Sequence, residues 1–183
     1  SILNKCRDIS YIIDTKGNLS IFATALDTAD LVDTLSEPAG PFTIFVPKDE
    51  AFIGFPDGFV ACLLEYNNKG ILRDILKHHI VEGKFLLSEL KNGMTLSTLN
   101  SDSVTVKASE DIKIDDSNIY IPDLEVTNGV IHIIDSLLLP SDVNFNNYLT
   151  DCELKDMKSS AANYRKNVFS LILGAVLLFG IKL

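Results

Sequence analysis

The chain has 183 residues, enough for one domain of medium size and a tail. Hydrophobic residues make up 46% and charged residues 22% of it, a balance typical of globular proteins and not of disordered ones. Its 16 basic and 25 acidic residues give a formal net charge of −9. Because an acidic surface repels phosphate, this composition argues against nucleic acid as a partner.

Three cysteines, Cys6, Cys62 and Cys152, are too few and too widely spaced for a disulfide framework or a zinc site. Two interpretations stay open: buried thiols, or one disulfide and one leftover thiol in an oxidising compartment. The sequence does not decide which two cysteines would pair. The signal peptide of a secreted protein would precede Ser1.

The N-terminal part predicts a helix and then a buried strand. Apolar residues recur at intervals of three and four between residues 20 and 35, the stripe of a helix packed on a core. Asn18 and Ser20 are candidate caps for its start. Residues 42–46 are mostly β-branched or aromatic, so they predict a short buried strand.

Two short helices are predicted next, at residues 60–66 and 70–76, with a turn between them. Beyond residue 80, short β-like segments alternate with turns rich in Asn, Asp, Ser and Gly. They lie at residues 95–99, 103–107, 111–114, 118–121, 124–127 and 130–134. Helices followed by strands predict an α+β domain with a mainly antiparallel sheet.

Three blocks of the chain resemble the fasciclin family, in the family's order and at about its spacing. Residues 42–52 resemble the first family motif, residues 76–85 the middle block and residues 128–140 the second motif. The segment 93–99 joins them, and the resemblance covers residues 9–140. We therefore assign 9–140 as the domain, 141–167 as a polar linker and 168–183 as a hydrophobic tail.

The resemblance implies a wedge-shaped β-sandwich flanked by short helices. It also implies a module for cell–cell or cell–matrix adhesion that is secreted, membrane-spanning or glycolipid-anchored. The expected partner is an extracellular protein or glycan, such as an integrin-like receptor or a second copy. No catalytic activity is typical of the family, and no cofactor or metal is predicted.

Two receptor-contact sequences of animal members map onto this chain through the resemblance. An Asp followed by an aliphatic residue before the second motif corresponds to Asp123 and Leu124. A Tyr-His pair in the middle block corresponds to His78 and His79, with His78 in place of the Tyr. The plainer interpretation of Asp123 is a turn residue between two strands.

An enzyme that uses His79 and His132 is the alternative from a different functional class. The sequence has no serine-hydrolase elbow, phosphate loop or zinc-protease helix. His132 lies in an apolar run that suits a strand buried on both faces, so a structural hydrogen-bonding role is favoured. Asp135, after that run, is expected to cap or accept hydrogen bonds. A third hypothesis for the function of the chain is a secreted carrier of a small apolar ligand.

The tail has three interpretations. Residues 168–181 carry no charge, but a helix of that length spans about 21 Å, less than a bilayer core of about 30 Å. A lipid-anchor signal fits better, with Ser159 or Ser160 as the attachment residue ahead of a spacer and the apolar tail. A short membrane helix and a soluble helix remain alternatives. Separately, Asn18 opens an acceptor triplet for N-glycosylation.

Overall fold

The computed structural model describes residues 8–36, 38–55 and 58–141, except for the side chain of Tyr66. The chain divides into two compact units, residues 1–55 with 60–143 and residues 56–59 with 144–183. The fold below is that of the first unit. Cys6, Cys152, Ser159, Ser160, the linker beyond residue 141 and the tail lie outside the described residues, so the predictions made for them are not tested.

In the described residues, four α-helices and four short 3-10 helices precede or interrupt the strands. The α-helices are α1 Ile9–Thr15, α2 Ser20–Thr28, α3 Phe59–Leu63 and α4 Lys69–His78. The 3-10 helices are Asp33–Leu35, Asp49–Phe52, Tyr66–Asn68 and Leu87–Glu89. Helix α1 was not predicted, and its N-cap is Asp8, whose carboxylate accepts from the Tyr11 N–H at 2.9 Å.

The helix predicted over residues 20–35 is too long. Helix α2 ends at Thr28, and Asp30 follows with a left-handed φ of 53°, which an α-helix does not continue. Lys69 and Arg73 of α4 form ion pairs with the Asp30 carboxylate and hold the break in place. The apolar spacing continued past this point because Leu35 is still buried, in a separate 3-10 turn.

The start of α2 is capped from a distant segment. Its N-cap position is Leu19, which has no side-chain oxygen, so neither candidate cap acts as predicted. The Asp49 carboxylate instead accepts from the backbone N–H groups of Ser20 at 3.2 Å and Ile21 at 2.9 Å, and from the Ser20 hydroxyl at 2.6 Å. An acidic residue of the first motif therefore fixes the helix that precedes it.

Seven strands form one mixed sheet in the order β2-β1-β7-β6-β5-β4-β3. They are β1 Phe42–Pro47, β2 Ile80–Glu82, β3 Thr95–Ser97, β4 Ser103–Ala108, β5 Ile112–Ile114, β6 Ser117–Val126 and β7 Gly129–Ile134. All neighbours are antiparallel except β1 and β7, which run parallel. The α+β class and the mainly antiparallel sheet are confirmed.

The two edge strands of the sheet approach each other. Val81 in β2 forms an isolated antiparallel bridge with Thr98, just after β3, so the sheet curls around an apolar interior. That interior contains a cluster of buried side chains from six strands and the connecting segments. Its members are Phe45, Val81, Leu90, Leu96, Val104, Val106, Ile114, Ile134 and Leu138.

The pair β1 and β7 carries the two family motifs in register, from Phe42 opposite Gly129 to Pro47 opposite Ile134. All six residues of β7 are buried, as predicted for a strand covered on both faces. A side chain at position 129 has no room, because its Cβ would lie 2.0 Å from the Phe42 carbonyl oxygen. Glycine at the start of the second motif therefore permits the close approach of the two strands.

The segments predicted as two strands at 118–121 and 124–127 form one strand, β6. The pairing of β6 with β7 shifts register between Ile119 and Ile121 and again between Ile121 and Leu124. Bulges of this kind let a strand continue across residues that a sequence pattern interprets as a turn. At the far end of the pair, Asp135 accepts from the Asn118 N–H at 2.9 Å and the Asn118 amide at 2.7 Å, which confirms its predicted role.

Asn128 joins three segments that are distant in the sequence. Its side-chain oxygen accepts from the Ile9 N–H at 3.0 Å, and its amide donates to the Leu35 carbonyl at 2.8 Å. The side chain is buried, with 7% of the residue exposed. It therefore connects the start of α1 and the end of a 3-10 turn to the residue before β7.

Substitution of Asn128 tests this connection. Asn128→Ala leaves one buried N–H and one buried carbonyl unpaired, and each unpaired group costs about 1–3 kcal/mol. We expect the free energy of unfolding to fall by about 2–4 kcal/mol, measured by urea denaturation. Asn92→Ala is the matched control, because Asn92 is exposed although its side chain accepts from the Ala108 N–H. Equal losses in the two variants would contradict the assignment.

Candidate functional site

Asp123 lies in the second bulge of β6. Pro122 and Asp123 have no partner residue on β7, since the register passes from Ile121 directly to Leu124. Asp123 has a left-handed φ of 54°, a conformation that few non-glycine residues adopt outside bulges and turns. It is therefore an outward bend within one continuous strand, and the interpretation as a turn between two strands is wrong.

Two hydrogen bonds hold this bend. The Asp123 carboxylate accepts from the Leu87 N–H through Oδ1 at 2.8 Å. The Asp123 N–H donates to Nδ1 of His132 at 3.2 Å, across from β7. Backbone and side chain of one residue are thus fixed by two different segments, which orients its carboxylate before any partner binds.

His132 connects the bulge to the segment after β2. Its Nε2 lies 2.8 Å from the Phe85 carbonyl oxygen, which has no proton to give, so Nε2 carries the ring proton. Nδ1 accepts from Asp123, and the ring stacks on Phe45 with centroids 5.6 Å apart. Burial lowers the pKa of His132 and keeps the imidazole neutral. The predicted structural role of this residue is confirmed.

The resulting surface presents a partly available carboxylate next to an apolar side chain. The Asp123 side chain is 40% exposed and Leu124 is half-buried. Within the described part of the chain, only the Leu87 N–H donates to the carboxylate, and it uses Oδ1. The second oxygen, Oδ2, is therefore oriented and still able to accept from a partner.

A shallow groove of about 420 Å³ adjoins the bulge. Its lining combines apolar side chains with two acidic ones and one amide: Leu87, Ile112, Ile119, Pro122, Glu110, Asp111 and Asn118. Leu87 and Pro122 belong both to this groove and to the surroundings of Asp123. The groove thus extends the candidate site along β5 and β6.

His79 is buried and neutral. Its Nδ1 donates to the Ile75 carbonyl at 2.7 Å, and its Nε2 accepts from the Leu138 N–H at 3.0 Å. The ring also contacts Phe22 edge-on, with centroids 5.5 Å apart. Burial lowers the pKa of His79 to about 3, so the ring carries no charge at neutral pH.

His78 is buried as well, on a different side of α4. Its Nδ1 lies 3.4 Å from the Asn100 amide oxygen and 3.7 Å from Oδ2 of Asp102. The same Asp102 oxygen accepts from the N–H and the hydroxyl of Ser141, both at 3.1 Å. These hydrogen bonds, with one from the Ser103 N–H, lower the pKa of the Asp102 carboxyl. His79 therefore holds the segment after β7 directly through Leu138, whereas His78 lies near the Asp102 carboxylate that holds Ser141.

The structure does not bring the two predicted pairs together. No hydrogen bond or ion pair among the described residues links His78 or His79 to Asp123. Both histidine rings are covered by the protein, with 1% of His78 and none of His79 exposed. Contact of a partner with either ring stays a prediction.

Asn18, the predicted N-glycosylation residue, is exposed in the turn before α2.

The sequence did not predict the roles of Phe85 and Leu87. Phe85 acts through its backbone carbonyl and Leu87 through its backbone N–H. No side-chain type signals such a role, and only the fold reveals it. Within residues 8–36, 38–55 and 58–141, no three His, Cys, Asp or Glu side chains converge as a metal site. In the same ranges, no helix has the length and apolar character needed to cross a membrane.

Comparison with known proteins identifies relatives of most of the described part of the chain. The family model described as "Fasciclin domain" matches residues 17–140. An uncharacterised protein of Synechocystis, sll1735, is 37% identical over 120 residues, which cover 66% of this chain and 88% of that protein. Human periostin is 32% identical over 131 residues, which cover 70% of this chain and 15% of periostin.

A solved structure shows the same fold. It is the FAS1 domain pair from the insect cell adhesion molecule Fasciclin I, superposed with a TM-score of 0.64. The sequences are 22% identical, and the match covers 73% of this chain and 51% of the pair. The match confirms the predicted fasciclin-like fold, which in this chain is a mixed seven-stranded sheet with a few short helices.

The buried histidines predict a stability that depends on pH. A lowered pKa in the folded state means that the unfolded chain binds more protons below pH 6.5, the ordinary histidine value. Their stabilisation is complete above pH 6.5 and is lost as the pH falls. We expect His79 alone to cost up to about 1.4 kcal/mol per pH unit between pH 6.5 and 5, measured by urea denaturation.

His79→Gln tests the assignment, because it removes the titrating ring. The variant should be less stable than the parent at pH 7.5 and should lose less stability on acidification to pH 5. Carboxylates with a lowered pKa, such as Asp102, become protonated at lower pH, so they do not account for a loss of stability between pH 7.5 and 5. An unchanged pH profile would show that His79 is not the group responsible.

Proposed function

We propose that this chain, which belongs to the fasciclin family, is a non-enzymatic extracellular module that binds its partner through Asp123 and Leu124. The family includes periostin, transforming growth factor-beta-induced protein ig-h3 and an insect cell adhesion molecule. Domains of this family act as adhesion modules in eukaryotic relatives. The partner proposed here is an extracellular protein or glycan, such as an integrin-like receptor or a second copy of the chain.

The observation that carries the proposal is that two hydrogen bonds hold Asp123, one to its side chain and one from its backbone N–H. A carboxylate held by the Leu87 N–H and a backbone held by His132 lose little conformational freedom on binding. A carboxylate that is 40% exposed beside a half-buried Leu124 offers one charged and one apolar contact. Such a pair is small, so many copies on one surface would raise the effective strength of binding.

The state of the histidines supports a binding role over catalysis. His79 and His132 each use both ring nitrogens for hydrogen bonds to the backbone, and each has a lowered pKa. A general base needs a nitrogen that can reach a substrate proton. The fasciclin family is generally non-enzymatic, in agreement with this arrangement.

The role of Asp123 is tested by adhesion of coated beads. Asp123→Asn retains an oxygen that can accept from the Leu87 N–H but removes the charge that a partner would recognise. A lost charge-assisted hydrogen bond of about 1.5–3 kcal/mol corresponds to at least a tenfold weaker single contact. We expect adhesion of variant beads to fall accordingly, with the unfolding midpoint unchanged.

Three surfaces separate the possible partners: beads coated with the same chain, cells that display integrins, and an array of glycans. Glu89→Gln serves as a control, because it removes one exposed acidic charge that also accepts a backbone N–H, from Leu86 at 2.7 Å. Adhesion lost with Asp123→Asn on one surface identifies the partner class. An equal loss of adhesion with Glu89→Gln, or adhesion that neither substitution changes, would refute a specific role of Asp123.

We also propose that the chain is attached to the cell surface through a lipid at Ser159 or Ser160, with Asn18 carrying an N-glycan. The exposed position of Asn18 in a turn supports the second part. The proposal for the tail rests on the sequence alone, since Ser159, Ser160 and residues 168–183 lie outside the described part.

Phospholipase treatment of eukaryotic cells that express the chain tests the lipid attachment. We expect release into the medium and a C-terminal peptide that ends at Ser159 or Ser160 by mass spectrometry. Retention with residues 168–183 intact would indicate a membrane helix instead. Recovery of the untreated chain from the medium would refute attachment altogether.

A further inference from the structure

Helices α1 and α2 border an open groove of about 650 Å³ that shares no residue with the surroundings of Asp123. The 3-10 turn Asp33–Leu35 lies at one side of it, with Val32 and Ser36 among the lining residues. None of the proposals above uses this surface. It therefore raises a separate question about what binds there.

The charges along the groove have one sign. Its charged lining residues in the described part of the chain are Asp8, Asp14 and Asp27, and no Lys or Arg from that part lines it. Asp8 is buried and serves as the cap of α1, whereas Asp14 and Asp27 are exposed. The two exposed carboxylates give the rim a negative potential that favours a cationic partner.

The remaining lining is amphipathic. Among the apolar lining residues, Ala23 and Val32 are half-buried and Ile13 and Leu26 are almost fully buried, and serine and threonine residues add hydroxyl groups to the lining. Tyr11 borders the groove with 43% of its surface exposed. Exposed tyrosines of this kind are common anchors in protein interfaces.

The shape of the groove favours a peptide over a small molecule. Small-ligand sites bury most of their ligand, whereas this groove is open along the two helices. Helices of 7 and 9 residues extend about 10–14 Å, the length of two turns of a helix. An amphipathic helix laid in such a groove would place apolar residues on the floor and charged residues at the rim.

We infer that the α1–α2 groove is a docking site for a basic amphipathic helix of a partner protein. Lysine or arginine residues of that helix face Asp14 and Asp27, while its apolar stripe covers Tyr11, Ala23 and Val32. The interface is independent of Asp123, so one domain can hold a partner on each surface. The negative rim also makes the binding sensitive to salt.

The test uses the full 183-residue chain and a fluorescent peptide of about four turns made of leucine and lysine in helical spacing. Fluorescence anisotropy should show saturable binding, while a peptide with glutamate in place of lysine should not bind. The double variant Asp14→Asn/Asp27→Asn should weaken binding about tenfold, since two rim charges are removed. Hydrogen exchange should slow in α1 and α2 when the peptide is added.

Matched variants separate a site from general attraction to an acidic protein. Asp74→Asn/Asp116→Asn removes the same charge from exposed positions outside the groove, and should change the dissociation constant less than about twofold. Tyr11→Ala should weaken binding, while Tyr120→Ala, which alters another exposed tyrosine, should not. Equal effects of the two double variants, or protection spread over the whole domain, would overturn the inference.

Discussion

The structure depends above all on the parallel pairing of β1 with β7. The two strands are the second and third of the seven in the sheet, and every residue of β7 is buried. Close approach at their start requires Gly129, and the residue before it, Asn128, holds α1 and the 3-10 turn that precedes β1. The same strand also supplies His132, which fixes Asp123. The core, the helices and the candidate site therefore all depend on this one pair of strands.

Much of the fold could be predicted, because the determining patterns are local. Apolar spacing located α2 and α4, and β-branched runs located β1, β4 and β7, each within a few residues. The errors have non-local causes. Helix α2 ends early at Asp30, a residue paired with α4, and its cap is Asp49 from beyond β1. The bulges that make β6 one strand depend on its neighbour, which a local pattern does not contain.

The candidate site was predictable in part. The resemblance selected Asp123 and Leu124, and the structure places this carboxylate at the surface. The resemblance also selected His78 and His79, whose rings the fold uses internally. Adjacent histidines give no sign of which carbonyl or N–H they will meet, since those groups belong to Ile75, Leu138 and other residues that only folding brings near. Phe85 and Leu87 act through the backbone, where residue identity carries no information.

The pairing of β1 with β7 has a consequence for synthesis of the protein. Strand β1 ends at Pro47, while its parallel partner begins at Gly129, so a ribosome makes one long before the other. During that interval β1 has only the short strand β2 available as a neighbour, and its apolar surface stays uncovered on the other edge. Folding of the nascent chain must therefore wait for nearly the last residue of the domain. A nascent chain stopped before residue 129 is expected to need a chaperone.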